Sequence, residues 1–148
     1  MQLLTTENLM SYPLSVWQAM LACVYTADKA RIGEYDFVPT SRLAEDLAIP
    51  APSLARLLRS LNRAGIIETR EGSRGGVRLA VTPETVTLRS IFEAIEQDLP
   101  LFRTDSSPAV KGATPTQRTR ALRKALAQAE DAMRTSLEGV TLEDISRN

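Results

Sequence analysis

Pro50 and Pro52 constrain this chain more than any other feature. Proline pushes the residue before it out of the helical region, so a helix carrying Leu43, Ala44 and Leu47 on one face ends near Ala48 and Ile49. Pro52 suits the first position of a new helix, where a missing N–H is no loss. Leu54, Leu57, Leu58 and Leu61 then recur at i, i+3, i+4 and i+7, a single apolar stripe. Gly65 supplies the left-handed residue that ends such a helix. The result is helix, tight turn, helix. Thr40 or Ser41 is the expected N-cap of the first helix, through a hydroxyl accepting from a free N–H.

A hairpin follows at once. Ile66 and Ile67 start a strand that continues through Glu71, and Gly72, Ser73, Arg74, Gly75 and Gly76 form a loop with room for positive φ. Val77, Leu79 and Val81 alternate with Arg78 and Ala80, as in a half-buried strand. Phe37 and Val38 are expected to add a short strand to this sheet.

Arg56, Arg59 and Arg63 lie off the leucine stripe and close together around the second helix, since seven residues nearly close two turns. Arg74 sits at the hairpin tip. A major groove admits a helix whose start meets base edges. On that geometry Ser53 and Arg56 are candidates for reading bases, Arg59 and Arg63 for meeting phosphate, and Arg74 for entering a minor groove, whose potential attracts arginine. Arginines on one helix face can equally be a solvated surface; helix, proline turn, helix and basic glycine-rich hairpin together are more specific.

Net charge is zero over 148 residues, so no global field draws the chain to a polyanion. The local balance differs: residues 41–81 hold seven arginines against four acids, while residues 1–40 and 82–115 are each two charges negative. The single cysteine, Cys23, allows no internal disulfide and is expected to pack as a small hydrophobe. The apolar run at 14–25 is too short to span a bilayer, which points to a cytoplasmic protein without a membrane partner. With no histidine and no phosphate-cradling motif, no catalytic residue is assigned and an enzyme is not expected. No metal site is assigned either.

Before the paired helices, Leu3, Leu4, Leu9 and Met10 offer apolar side chains, and Pro13 is expected to open a strong helix. That helix has two apolar stripes, one of Leu14, Trp17, Met20, Leu21 and Val24, the other of Val16, Ala19 and Cys23. Two stripes imply burial on two sides, one against the chain's own body and one against a second subunit. After the hairpin, Thr87 caps a helix with a stripe of Leu88, Ile91, Phe92, Ile95 and Leu99, while Glu93, Glu96 and Asp98 make its other side acidic. Prolines, glycine, serine and threonine mark residues 100–115 as a loop. Thr114 and Pro115 start a long helix in which Leu122, Leu126, Ala129, Met133 and Leu137 form a narrow seam, suited to pairing between subunits. Gly139 ends it, and TLEDI makes a closing turn.

The stretch LAEDLAIPAPSLARLLRSLNRAGIIETREGSRGGVRLA, the following PETVTLRSIFEAIE, and VTLEDI after a long helix resemble bacterial regulators of the Rrf type, the IscR, NsrR and CymR kind. The resemblance is densest over residues 41–96. It implies a mainly α fold with a small β wing: a winged helix-turn-helix domain (1–99), a loop (100–115), and a dimerisation helix with a C-terminal turn (116–148). It further implies a homodimeric regulator, read as a repressor, on a palindromic duplex-DNA operator, with an effector of unassigned chemistry. Recognition would fall to Ala51, Ser53, Ala55 and Arg56, minor-groove contact to the wing around Arg74, and Ser41 joins the interface at the start of the first paired helix. Alanine at 51 and 55 leaves fewer polar base contacts than some members have. Many members hold an iron–sulfur cluster on three cysteines; here residues 98–117 contain none, so the likeness is to the cluster-free branch and no cofactor is expected. The alternative is a winged helix used as a protein-contact adaptor, through the acidic side of the 88–99 helix and the loop at 100–115.

Overall fold

A computed structural model describes residues 11–96 and 100–148, with the side chains of 11–13 excluded. The expectations for Leu3, Leu4, Leu9, Met10, Asp98 and Leu99 lie outside the described residues. The elements run α1 (Ser11–Arg31), α2 (Thr40–Leu47), α3 (Ala51–Arg63), β1 (Ile67–Arg70), β2 (Gly76–Leu79), a 3-10 turn (Pro83–Thr85), α4 (Leu88–Glu96), α5 (Ala113–Glu138) and α6 (Leu142–Ser146). The architecture is mostly helical with a two-stranded antiparallel wing.

α1 is the central post and touches α2, α3, α4, α6 and β2. Its buried face is built from small residues, Ala19, Ala22, Cys23 and Ala27, which lets neighbouring helices approach closely. The Thr26 hydroxyl on that face donates to the Ala22 carbonyl at 2.7 Å, so the buried oxygen is satisfied within the helix. Of the two expected stripes, the one with Ala19 and Cys23 enters the core, while Leu14 and Trp17 of the other remain exposed. Burial pushes the Cys23 thiol up to about 12, which keeps it from forming a reactive thiolate.

Leu43 from α2 and Leu54, Leu57, Leu58 and Leu61 from α3 complete the core over α1. Ala48 takes a left-handed conformation (φ 53°) between the two helices, and its N–H donates to the Glu45 carbonyl at 3.2 Å. Ile49, which precedes Pro50 and lies between α2 and α3 in sequence, is buried and joins the core. Neither Thr40 nor Ser41 caps α2. Pro39 occupies the N-cap, both hydroxyl residues fall inside the first turn, and no side chain caps the helix. Proline's restricted φ starts the helix one residue earlier than a hydroxyl cap would.

The wing pairs Ile67 with Leu79, Glu68 with Arg78, Thr69 with Val77 and Arg70 with Gly76. Val38 joins by a single bridge to Val77, with N–H···O distances of 2.8 and 2.9 Å in the two directions. Gly76 makes this possible: its φ is 148°, and a Cβ there would lie 2.0 Å from the Val38 carbonyl oxygen.

Thr87 caps α4 as expected, accepting from the Ser90 N–H at 3.0 Å. α5 begins at Ala113, so the preceding loop is shorter than the sequence suggests. α5 has no buried residue, and it packs chiefly on α4. After Gly139 the chain returns to the winged body instead of remaining beside the long helix. The Leu88 N–H donates to the Val140 carbonyl and the Leu142 N–H to the Val86 carbonyl, both at 2.9 Å. Leu142 is fully buried in the same core as Ile91 and Leu61. A capping box between Thr141 and Asp144 starts α6. No described helix is long and apolar enough to cross a membrane.

Candidate nucleic-acid interface

The leucine stripe turns α3 so that its opposite side faces solvent. Ala51, Ala55, Arg56, Arg59 and Arg63 are all exposed, Ser53 is half-buried, and Leu54, Leu57, Leu58 and Leu61 point inward. Arg74 is exposed at the wing tip and Ser41 at the start of α2. The fold therefore places every candidate on the outer side of the helix pair or on the wing. Ser53 is the least accessible of them.

Several arginines are committed to carboxylates within the chain. Arg31 pairs with Glu143 at 2.7 Å, Arg42 with Asp46 at 2.9 Å, Arg78 with Asp36 at 2.9 Å and with Glu68, Arg89 with Glu93 at 2.8 Å, and Arg147 with Glu143 at 3.0 Å. Among the described residues, Arg56, Arg59, Arg63 and Arg74 have no carboxylate partner. A guanidinium already committed to a carboxylate offers little to an incoming anion, whereas these four keep full charge and all their donors. Uncompensated positive charge thus lies on α3 and the wing, in a chain with no net charge; on α5, Arg118, Arg120 and Lys124 likewise have no carboxylate partner among the described residues.

Between the start of α2 and the wing runs a cleft of about 530 Å³, lined by Thr40, Ser41, Thr69, Arg70, Glu71 and Ser73 among others. Arg70 was not among the sequence candidates. It is exposed, and its guanidinium carbon lies 4.5 Å from the centroid of the Phe37 ring. Sequence spacing shows Arg70 in a strand but not the ring beneath it, which arrives from 33 residues earlier.

α2 is tied to the central post on its outer side. The Tyr25 hydroxyl donates to the Asp46 carboxylate, which also accepts from Arg42. These two hydrogen bonds, Tyr25 first, hold Asp46 below the usual carboxylate range.

Of the expected acidic face of α4, Glu93 and Glu96 are engaged within the chain. Glu93 accepts from Arg89 and from Arg134, which lie 2.8 and 3.2 Å away. Glu96 is buried, and burial raises its carboxyl above the ordinary range. Arg134 also bonds Glu130 at 2.8 Å and lies over the Phe92 ring, so the intended contact surface is consumed in joining α4 to α5.

On α5, Leu122 is 66% exposed, Ala129 is exposed, and Leu126, Met133 and Leu137 are only partly covered. Further along, Arg123 donates to the Thr104 and Ser106 carbonyls, each at 3.1 Å, and fastens the preceding loop to the helix.

Residues 16–148 match the sequence profile of the Rrf2 family, described as iron-dependent transcriptional regulators. The chain is 42% identical over 69 residues to a protein of Synechocystis sp. assigned by name to the HTH-type transcriptional regulators, a match covering 45% of this chain and 47% of that protein. It is 31% identical over 106 residues to the HTH-type transcriptional regulator NsrR of Geobacillus kaustophilus, covering 70% of this chain and 69% of the relative. The chain spans about half the length of the first relatives it matches. In fold it is similar to CymR, the global cysteine regulator of B. subtilis, with a TM-score of 0.62 at 19% identity over 99% of this chain and 98% of that one. The wing, the helix pair and the long helix thus sit in a familiar frame, and the chain belongs to the Rrf2 family of transcriptional regulators.

Proposed function

We propose that this chain is a sequence-specific DNA-binding regulator, a homodimeric repressor acting on a palindromic operator. The observation that carries the reading is a cluster of exposed arginines without carboxylate partners among the described residues, Arg56, Arg59 and Arg63 on one face of α3 and Arg74 on the wing. α3 enters the major groove with its first turns toward base edges; Arg56 reads bases, and Arg59 and Arg63 meet phosphate. Ala51 and Ala55 present methyl groups suited to apolar contact with thymine. Arg74 reaches the minor groove.

The uncovered seam of Leu122, Leu126, Ala129, Met133 and Leu137 supports the homodimer. α5 is 26 residues long and buries none of them within one protomer, which leaves a paired helix from a second copy as the natural cover. Two-fold symmetry then sets half-sites one or more helical turns apart.

The family description refers to iron, but the donors of this chain do not fit a thiolate-held cluster. It has no histidine and one cysteine, and that cysteine is buried inside α1. We therefore read the regulator as cluster-free.

Fluorescence anisotropy against the DNA upstream of its own gene, with a scrambled duplex as control and two salt concentrations, tests the reading. Tight, selective binding that weakens steeply with salt is expected. Arg56→Ala relaxes sequence preference, whereas Arg59→Ala weakens all duplexes alike. Absence of binding to any duplex at low salt would overturn it.

A further inference from the structure

We infer that Arg70 is a phosphate-binding residue at the base of the wing, holding a backbone phosphodiester of duplex DNA in the cleft between the wing and the start of α2. The inference rests on the DNA-binding reading above and adds a contact that the recognition helix and wing tip do not supply.

The argument begins with Gly76. It stands opposite Arg70 in the hairpin register, and paired residues share one face of a sheet. Having no side chain, Gly76 lets the Val38 backbone close against the wing, since a Cβ there would strike the Val38 carbonyl. That approach brings Phe37 beneath two guanidinium groups, Arg70 at 4.5 Å and Arg78 at 4.4 Å from the ring centroid. Both gain from the negative face of the ring.

Their charges have different fates. Arg78 is neutralised by Glu68 and by Asp36 at 2.9 Å. Arg70 has no carboxylate partner among the described residues. It is a planar donor fork, held in place by the ring and still uncompensated. A group already ordered loses less side-chain freedom on meeting its ligand.

The surroundings suit a phosphodiester. Arg70 lines the cleft with Thr40, Ser41, Thr69 and Ser73, whose hydroxyls are donors, and with Glu71. Without Arg70, Glu71 would be the one charged side chain among these lining residues, so the anion affinity of the cleft rests on this residue.

The test is anisotropy with a short mixed-sequence duplex between about 50 and 200 mM salt, for the unaltered chain, Arg70→Gln and Arg70→Lys. Each bound homodimer presents two copies of Arg70, so losing both phosphate contacts lowers the slope of log affinity against log salt by about 1.8. Across that fourfold range, R70Q then loses about 12-fold less affinity than the unaltered chain. R70K keeps the charge, so its slope stays at the original value, a rescue that a purely structural role would not show. Thermal melting of all three confirms that the fold is intact, which the exposure of Arg70 leads us to expect. An R70Q slope equal to the original overturns the inference and leaves the DNA-binding reading standing. No duplex binding by the unaltered chain at the lower salt overturns both.

Discussion

Replacing Leu142 by alanine probes how the C-terminal helix is held to the winged body. Leu142 is fully buried, in one core with Leu61, Val86 and Ile91. Leucine-to-alanine changes at such sites cost about 2.7–5 kcal/mol, more where the cavity stays open. α6 is only five residues long and lies at the surface, so it can settle partly into the space. That argues for the lower part of the range, about 3 kcal/mol. Local undocking caps the cost, and the anchors that resist it are the Leu142–Val86 and Leu88–Val140 backbone bonds at 2.9 Å and the Arg31–Glu143 pair at 2.7 Å. An ion pair this exposed contributes roughly 0.2–1 kcal/mol, so the cap depends mainly on burial of the leucine itself. For a chain of this size, 3 kcal/mol corresponds to a melting shift of roughly 6–12 °C. Urea unfolding at one fixed protein concentration, needed because a dimer's stability varies with concentration, measures the difference directly. Hydrogen exchange at the Leu88 amide distinguishes the routes, since undocking exposes that amide long before global unfolding. A loss below about 1 kcal/mol with the Leu88 amide still protected would refute the placement of Leu142 in the core.

Gly76→Ala is expected to cost about 3 kcal/mol, because the new Cβ would lie 2.0 Å from a backbone oxygen at φ 148°; urea unfolding showing no loss would contradict the close approach of Val38. Glu96→Gln should raise the melting temperature at neutral pH. The folded carboxyl has its pKa raised by burial, so the stability it permits is fully present below its unfolded value and lost as pH rises through the folded one. The advantage of glutamine should accordingly shrink as the pH is lowered into the carboxylate range, and melting curves across that range decide it. Leu126→Glu should convert the proposed dimer to a folded monomer in sedimentation, since no residue of α5 is buried within the protomer; a dimer that persists would move the interface elsewhere.

Much of this protein was legible without coordinates because local rules dominate it. Pro50 and Pro52 bracket a turn by sterics alone, and the leucines of α3 declare its inner face, leaving Arg56, Arg59 and Arg63 outside by subtraction. The glycine-rich wing follows from backbone freedom. Contacts between distant segments could not be seen in this way. Periodicity treats Glu93 and Glu96 alike as a polar face, yet in the fold one is neutralised by Arg134 from α5, 41 residues on, and the other is buried. TLEDI looked like a closing turn, but its leucine fills the core of a domain that begins far upstream. Sequence order also cannot tell a paired arginine from an unpaired one. Arg70 and Arg78 look equivalent along the hairpin, yet in the fold Arg78 pairs with Glu68 across the hairpin and with Asp36 from upstream, while Arg70 has no carboxylate partner among the described residues. The sequence by itself determined which elements form and which way α3 faces, because those depend on neighbours within a turn or a strand. Only the tertiary structure decided which charges remain uncompensated, because that depends on which distant side chains the packing brings within reach.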